Sequence, residues 1–217
     1  MSNSSNYQLH ICLESDSSFS SGAAFGNLID TDIESDEAGL PIISARRIKG
    51  LLRQAGDEMG FTLGADFQNA VNSAFGQAGS EVQNSARFDN ASLRESEEVK
   101  EWLKFIQSQK GKDHKVSLNK EAVLSFFTTL RSSTAIDPEG VASDKSLRTI
   151  RCLKRGLEFV LPLNCTRNQA EVISVCASYL RRGGTSRNRG YGWIHCEVQS
   201  ADGDSILEDS MNRWFKE

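Results

Sequence analysis

The 217 residues contain three prolines, three histidines and no Cys-x-x-Cys pair. No apolar run approaches the roughly 20 residues that a membrane-crossing helix needs. The five cysteines, Cys12, Cys152, Cys165, Cys176 and Cys196, are scattered, and with His10, His114 and His195 they match no zinc spacing. Zinc modules and disulfide scaffolds are thereby excluded, and the cysteines read as buried reduced thiols. The opening MSNSSNYQLH lacks the basic stretch and apolar core of a secretory leader. The expectation is a cytoplasmic protein with no membrane partner.

What is present is ordinary in amount and unusual in placement. Hydrophobic residues make up 38% and charged residues 25%, which suits one globular domain with an elaboration. The net charge of −4 argues weakly against a nucleic-acid partner, but its distribution argues the other way. Basic residues cluster from Arg46 to Arg53 and again over 145–189, whereas acids gather at 30–37, at 95–101 and in the tail. Clustered charge matters more for phosphate than the sum does.

Leu9, Ile11 and Leu13 alternate in a strand over 7–14, and a long Ser-, Gly- and Asp-rich loop follows to Pro41. Ser44 is an N-cap candidate for a helix to about Ala55, with Ile48, Leu51, Leu52 and Ala55 as its apolar stripe. Residues 56–127 read as a mainly helical insertion in which EEVKEWLKFIQ is the well-formed helix, before a second helix from Lys120. Residues 131–142 suggest two short strands joined at a Pro-Glu-Gly tip, and 156–163 alternate as a strand. Thr166 and Gln169 form a capping box for a helix that Gly183 and Gly184 stop. Residues 191–198 are the last clear strand, and an acidic tail or short helix fills 201–217. This order predicts an α+β, ferredoxin-like (RRM-like) β-α-β-β-α-β core with a helical insertion and a projecting hairpin. The core would be residues 1–55 and 153–200, and the hairpin 128–152.

Between that last helix and strand lies LRRGGTSRNRGYGWIHCEV, with four arginines and four glycines. Its RGYGWIHC portion nearly matches the base-stacking strand of an RRM, but too little chain follows for the helix and strand that fold still requires. Period-two alternation also puts Tyr191, Trp193 and His195 on one face. The better reading is a glycine-rich loop entering an edge strand, whose arginines offer bidentate contacts to phosphate.

Four segments then line up in order. They are GNLID and DEAGLP leading to SARRIKGLL; SAFGQ followed by ARFDNASL; LRSSTAIDPEGVA running to SLRTIR and GLEF; and the glycine–arginine stretch. Together they resemble the RAMP superfamily of CRISPR proteins, and within it the repeated backbone (Csm/Cmr-type) subunit of type III effector complexes, nearest to the III-D form. The resemblance implies a subunit that binds CRISPR guide RNA, meets complementary target RNA through it, and contacts neighbouring effector subunits, including further backbone copies. It places the guide's phosphates near Arg46, Arg47, Lys49, Gly50 and Arg53 of the first helix. It adds Arg182, Gly183, Gly184, Arg187, Arg189 and Gly190 of the loop, and Arg131, Arg148 and Arg151 of the hairpin. Ile136, Asp137 and Val141 would form the tip of a thumb over the duplex. Where many relatives have Pro-Gly or Gly-Arg before the Lys-Gly pair, this chain has Ser44-Ala45.

In active relatives an aspartate in the loop before that helix cuts target RNA with a divalent metal, and the resemblance places Asp30 there. Asp30 would hold Mg²⁺ (or Mn²⁺) or orient the 2′-hydroxyl, with Asp32 and Asp36 as possible accessory acids. The alternative reading is a non-catalytic guide-binding scaffold or an end-cap subunit of the same superfamily.

Overall fold

In the computed structural model, which describes residues 5–20, 22, 29–76, 85–108, 118–143 and 146–215, the core begins with the strand that alternation marks first. Strand β1 (Ser5–Leu13) buries Leu9, Ile11 and Leu13 and turns Gln8 outward. It lies between two antiparallel partners, β7 (Glu158–Cys165) and β8 (Ile194–Ser200). Both keep the same period, burying Phe159, Leu161 and Leu163 on one and Ile194, Cys196 and Val198 on the other. Two short strands, β2 (Ile42–Ile43) and β4 (Ala91–Leu93), complete the order β2-β4-β7-β1-β8, and β3 (Arg87–Phe88) pairs with the far end of β7.

Helices α1 (Ala45–Leu63), α2 (Ala65–Phe75) and α5 (Arg167–Tyr179) pack together against this sheet. Every residue of α5 from Gln169 to Ala177 is buried, because the sheet, α1, α2 and the terminal α6 (Leu207–Trp214) surround it. Its N-terminus carries the expected capping box: Gln169 Oε1 accepts from the Thr166 N–H, and Thr166 Oγ1 accepts from the Gln169 N–H. The path β1-α1-β4-β7-α5-β8, with strands ordered β4-β7-β1-β8, is the ferredoxin-like arrangement.

The structure corrects the sequence reading in four places, the simplest being α5, which ends at Tyr179 with Leu180 as its cap, ahead of Gly183 and Gly184. Helix α1 runs past Ala55, because Gly56 is no stop: a Cβ there would lie 3.0 Å from Cys176 Sγ and from Val71, so glycine lets α5 and α2 approach. Helix α1 stops instead at Gly64, whose φ is +87°. Residues 56–127 are no mere insertion either. Phe67, Val71, Ala74 and Phe75 of α2 and Ala91 of β4 belong to the core, and β4 is the second core strand. Among the described residues of this stretch, α3 (Ser96–Ser108) and α4 (Lys120–Phe127) are the additions to that core, and Val123 of α4 still packs into it. Finally, Ser44 makes no side-chain cap; Asn90 Oδ1, from the β3–β4 turn, accepts from the Ala45 N–H at 2.9 Å.

The hairpin is present as a two-stranded ribbon, β5 (Thr128–Ser133) with β6 (Arg148–Leu153), extended by a bridge between Ile136 and Ala142. Among the sequence motifs, residues 26–28 and Gln77 lie outside the described residues, as does Lys145. No described helix is long and apolar enough to cross a membrane. Burial pushes the Cys165, Cys176 and Cys196 thiols up to about 12 and Cys152 to about 11, as expected for inert core thiols.

Removing the α5 cap with Thr166→Ala should cost about 1 kcal/mol. Urea unfolding followed by far-ultraviolet circular dichroism is expected to show a lower midpoint with an unchanged slope.

Candidate nucleic-acid interface

The glycine–arginine loop owes its shape to its own packing. A Cβ on Gly183 would lie 2.8 Å from the Phe19 ring, and one on Gly184, whose φ is +81°, would lie 2.6 Å from the Ser18 carbonyl oxygen. The Gly183 N–H donates to the Gly192 carbonyl at 2.8 Å, and the Gly192 N–H to the Asp16 carbonyl at 3.0 Å. Gly183 and Gly184 are therefore demanded by the fold, and the Gly183 N–H is already engaged. Gly190 differs: it has a φ of +82° and open space around its Cα.

The arginines carry what remains of the phosphate reading. Arg187 and Arg189 bound a short 3₁₀ turn, with Arg189 exposed and Arg187 half-buried. Arg182 donates to the Arg187 carbonyl and stacks its guanidinium 4.0 Å from the centre of the Trp193 ring. The expected face of Tyr191, Trp193 and His195 is partly realised, with Trp193 and His195 exposed and Tyr191 half-buried.

Helix α1 divides its basic residues rather than presenting one patch. At about 100° per residue, Arg47 falls on the stripe of Leu51 and Glu58, while Lys49 and Arg53 point the other way. Lys49 sits over the Phe88 ring at 5.6 Å, and burial, then the neighbouring Arg53, holds its pKa below the usual lysine value. Arg53 donates to the Gly76 carbonyl at 2.5 Å and lies 3.8 Å from Asp57, so it works as a tether between α1 and the end of α2. Arg46 and Gly50 are exposed, and nothing lies within 4 Å of a Cβ built on Gly50. Neither a positive φ nor a close neighbour calls for glycine there, although glycine in a helix costs about 0.5–1 kcal/mol relative to alanine.

The acidic loop adds itself to the free edge of the hairpin. Thr31 bridges Ile150 in parallel, the Asp30 N–H donates to the Thr149 carbonyl at 2.9 Å, and the Arg151 N–H to the Thr31 carbonyl at 3.0 Å. The Asp30 carboxylate is exposed, and its Oδ2 accepts from the Thr149 N–H at 2.7 Å, which fixes its direction. Asp32 is no accessory acid at a surface site. It is buried, with Oδ1 2.9 Å from Arg151 Nε and 2.7 Å from the Ile33 N–H. Asp36 likewise shapes its own loop, accepting from the Leu40 N–H at 2.9 Å and pairing with Lys100 at 3.5 Å.

Arg151 also departs from expectation. Its side chain is only 4% exposed, and between Asp32 and Glu121 Oε1 (2.5 Å from its Nη2) it cannot serve as a surface phosphate ligand. Arg131 is exposed but paired with Asp16 at 2.7 Å, and Arg148 is exposed on the outer ribbon. At the tip, Asp137 Oδ1 accepts from the Glu139 and Val141 N–H groups at 3.0 and 2.9 Å. Asp137 thus builds the turn, and Ile136 and Val141 project from it, 68% and 61% exposed.

Sequence reasoning missed Asp16. Its Oδ2 accepts from Arg131, its Oδ1 from the Arg155 N–H, and its carbonyl from the Gly192 N–H, so one residue joins β5, the end of β6 and the arginine loop. A Ser-rich loop without periodicity gave no signal for it. Among the described residues no group of three or more His, Cys, Asp or Glu side chains stands ready to hold a metal ion.

Arg151→Met should remove the buried cation from between Asp32 and Glu121 and destabilise the protein by about 3–5 kcal/mol. Arg148→Ala, on the exposed ribbon, should stay within about 0.5 kcal/mol. Chemical denaturation of both variants checks the contrast.

No protein-family profile matches the chain, and no curated protein matches it. Solved structures do. A chain from the cryo-EM structure of the Type III-B Cmr-beta bound to cognate target RNA superposes with a TM-score of 0.63 at 14% identity, covering 89% of this chain and 96% of that one. A chain from the apo state of the Type III-B Cmr-beta gives 0.64 at 15% identity with the same coverage. At such identities the likeness is one of fold, and it extends over nearly the whole of both chains: this protein is similar in fold to the Type III-B Cmr-beta chains.

Proposed function

We propose that this chain is an RNA-binding backbone subunit of a type III CRISPR effector complex, gripping guide RNA by its sugar–phosphate backbone. One observation carries the reading: in a chain of net charge −4, Arg187, Arg189, Arg46 and Arg47 stand on the loop and helix where the motif resemblance expects the guide. The fold likeness to the Type III-B Cmr-beta chains, one from a structure bound to cognate target RNA, supports the type III reading. The nearer likeness to the III-D form rests on the sequence motifs alone. Backbone contacts carry no sequence information, so specificity would lie in guide–target pairing.

The same reading assigns cleavage of guide-paired target RNA to Asp30. Its exposed carboxylate, aimed by the Thr149 N–H beside the hairpin, fits the one protein carboxylate a Mg²⁺ needs when RNA phosphates and water complete its shell. Asp32 and Asp36 add nothing to that shell, since Asp32 is buried against Arg151 and Asp36 is engaged by the Leu40 N–H and Lys100. A bound divalent ion would stabilise the charge that gathers on the phosphate oxygens. The 2′-hydroxyl, oriented beside Asp30, would lose its proton to water as the 2′-oxygen attacks the adjacent phosphorus. The bond to the 5′-oxygen breaks, that oxygen gains a proton from water, and a cyclic 2′,3′-phosphate and a 5′-hydroxyl result. A target lacking the 2′-hydroxyl would stay intact.

The assembled complex with Mg²⁺, at equal guide occupancy, tests both parts. Asp30→Ala is expected to remove cleavage at one or more positions, by at least about 100-fold on the scale of a lost catalytic group, while target binding persists. Unchanged cleavage would leave a guide-binding scaffold and refute the role of Asp30.

A further inference from the structure

An open groove of about 790 Å³ lies between α1, the C-terminal end of α5, the glycine–arginine loop and α6. That volume falls within the about 300–1,000 Å³ typical of small-ligand sites. Its sides differ in chemistry. Leu51 and Met59 contribute apolar surface, Tyr179 and Trp193 contribute rings that are 50% and 39% exposed, and Arg182 and Arg187 stand on the loop side. The Arg182 guanidinium lies over one face of the Trp193 ring and is anchored on the Arg187 carbonyl, so the ring is held in a fixed orientation and only its opposite face and edge can meet a ligand. Arg47 lies one turn before Leu51 on the same stripe of α1, at the groove's continuation.

We infer that this groove receives the base of an unpaired ribonucleotide, stacked on Trp193, with the flanking phosphates on Arg187 and Arg47. The inference rests on the RNA-binding reading and adds a base-binding role to a surface assigned so far only to backbone contacts. An aromatic ring backed by a guanidinium offers a π-face to any base, and unpaired bases stack on such rings in single-strand recognition. The exposed position of Gly50 leaves room for a sugar–phosphate chain passing α1 beside Arg47. The charged lining is Arg181, Arg182 and Arg187 against one acid, Glu58, and this cationic surplus favours a phosphate-bearing occupant over an apolar polypeptide segment. Because every base has a π-face, the groove should show little base preference.

The test uses the purified chain and a short oligouridine RNA carrying one photoreactive thiouridine. Crosslinks mapped by mass spectrometry are expected at Tyr179 or Trp193. Trp193→Ala should weaken binding about tenfold, as for the loss of one stacked base, and leave the slope of log affinity against log salt unchanged. Trp193→Phe should recover most of the loss. Arg47→Ala with Arg187→Ala should instead reduce that slope by about 1.4, for two phosphate contacts to a single strand. Crosslinks outside the groove, with Trp193→Ala binding like wild type, would overturn the groove while the RNA reading stands on the arginine pair. That outcome, joined to protection of Tyr179 in the assembled complex without RNA, would assign the groove to a neighbouring polypeptide. An arginine pair without effect on either affinity or slope would overturn the RNA reading itself. Should Trp193→Ala fail to fold, Tyr179→Ala and Gln54→Trp, at exposed groove positions, give the same comparison.

Discussion

The arrangement of the candidate interface depends on one buried cation. Arg151 belongs to the hairpin, Asp32 to the acidic loop and Glu121 to α4, and the guanidinium holds all three in place. A charge removed from water so completely is tolerated only when paired and hydrogen-bonded. The pairing forces the acidic loop against β6, and the backbone bonds of Asp30 and Thr31 follow from that contact. The direction of the exposed Asp30 carboxylate thus rests on a buried pair, Asp32 two residues beyond Asp30 and Arg151 two residues beyond Thr149.

A second constraint ties the hairpin to the arginine loop. Residues 15–20 leave β1 and run between them, with Ser17 bridging Leu153, Ser18 bridging Thr185, and Ser15 accepting from the Trp193 N–H. Asp16 completes the junction through three separate acceptors. The glycines of the arginine loop are the steric counterpart of this junction: side chains at Gly183 or Gly184 would collide with Phe19 or Ser18. The loop, the hairpin root and the end of β1 therefore form one packed unit.

The elements legible in the sequence were those whose signals are local. β1, β7 and β8 alternate, and α5 announces itself by its capping box. The hairpin was legible from Pro138 and Gly140, which mark its tip. β4 has three residues, too few to display a period, and α2 is diluted by Gln, Asn and Ser on its outer side. The sequence reading ended α1 at about Ala55, and only the approach of Cys176 and Val71 shows that Gly56 is a packing residue inside a longer helix. The site followed the same rule. Arginine clusters mark where cations gather, but not which of them become engaged within the fold, as Arg53 and Arg151 do. Asp16 and Arg131, 115 residues apart, and Asn90 with Ala45, 45 apart, meet only once the chain is folded.

The separation of acids from bases has a kinetic meaning. Beyond about 10 Å at ordinary salt, screening leaves little of a single charge pair, and a polyanion at that distance feels a weakly repulsive body. Closer in, the sign is local, since α3 and α6 present Glu97, Glu98, Glu208 and Asp209, whereas the loop presents Arg181 and Arg189. Toward any polyanion such a surface is a patchwork of opposite signs rather than a uniformly acidic body. On the RNA-binding reading, an approach that meets the acids would be turned away and one that meets the loop would be held.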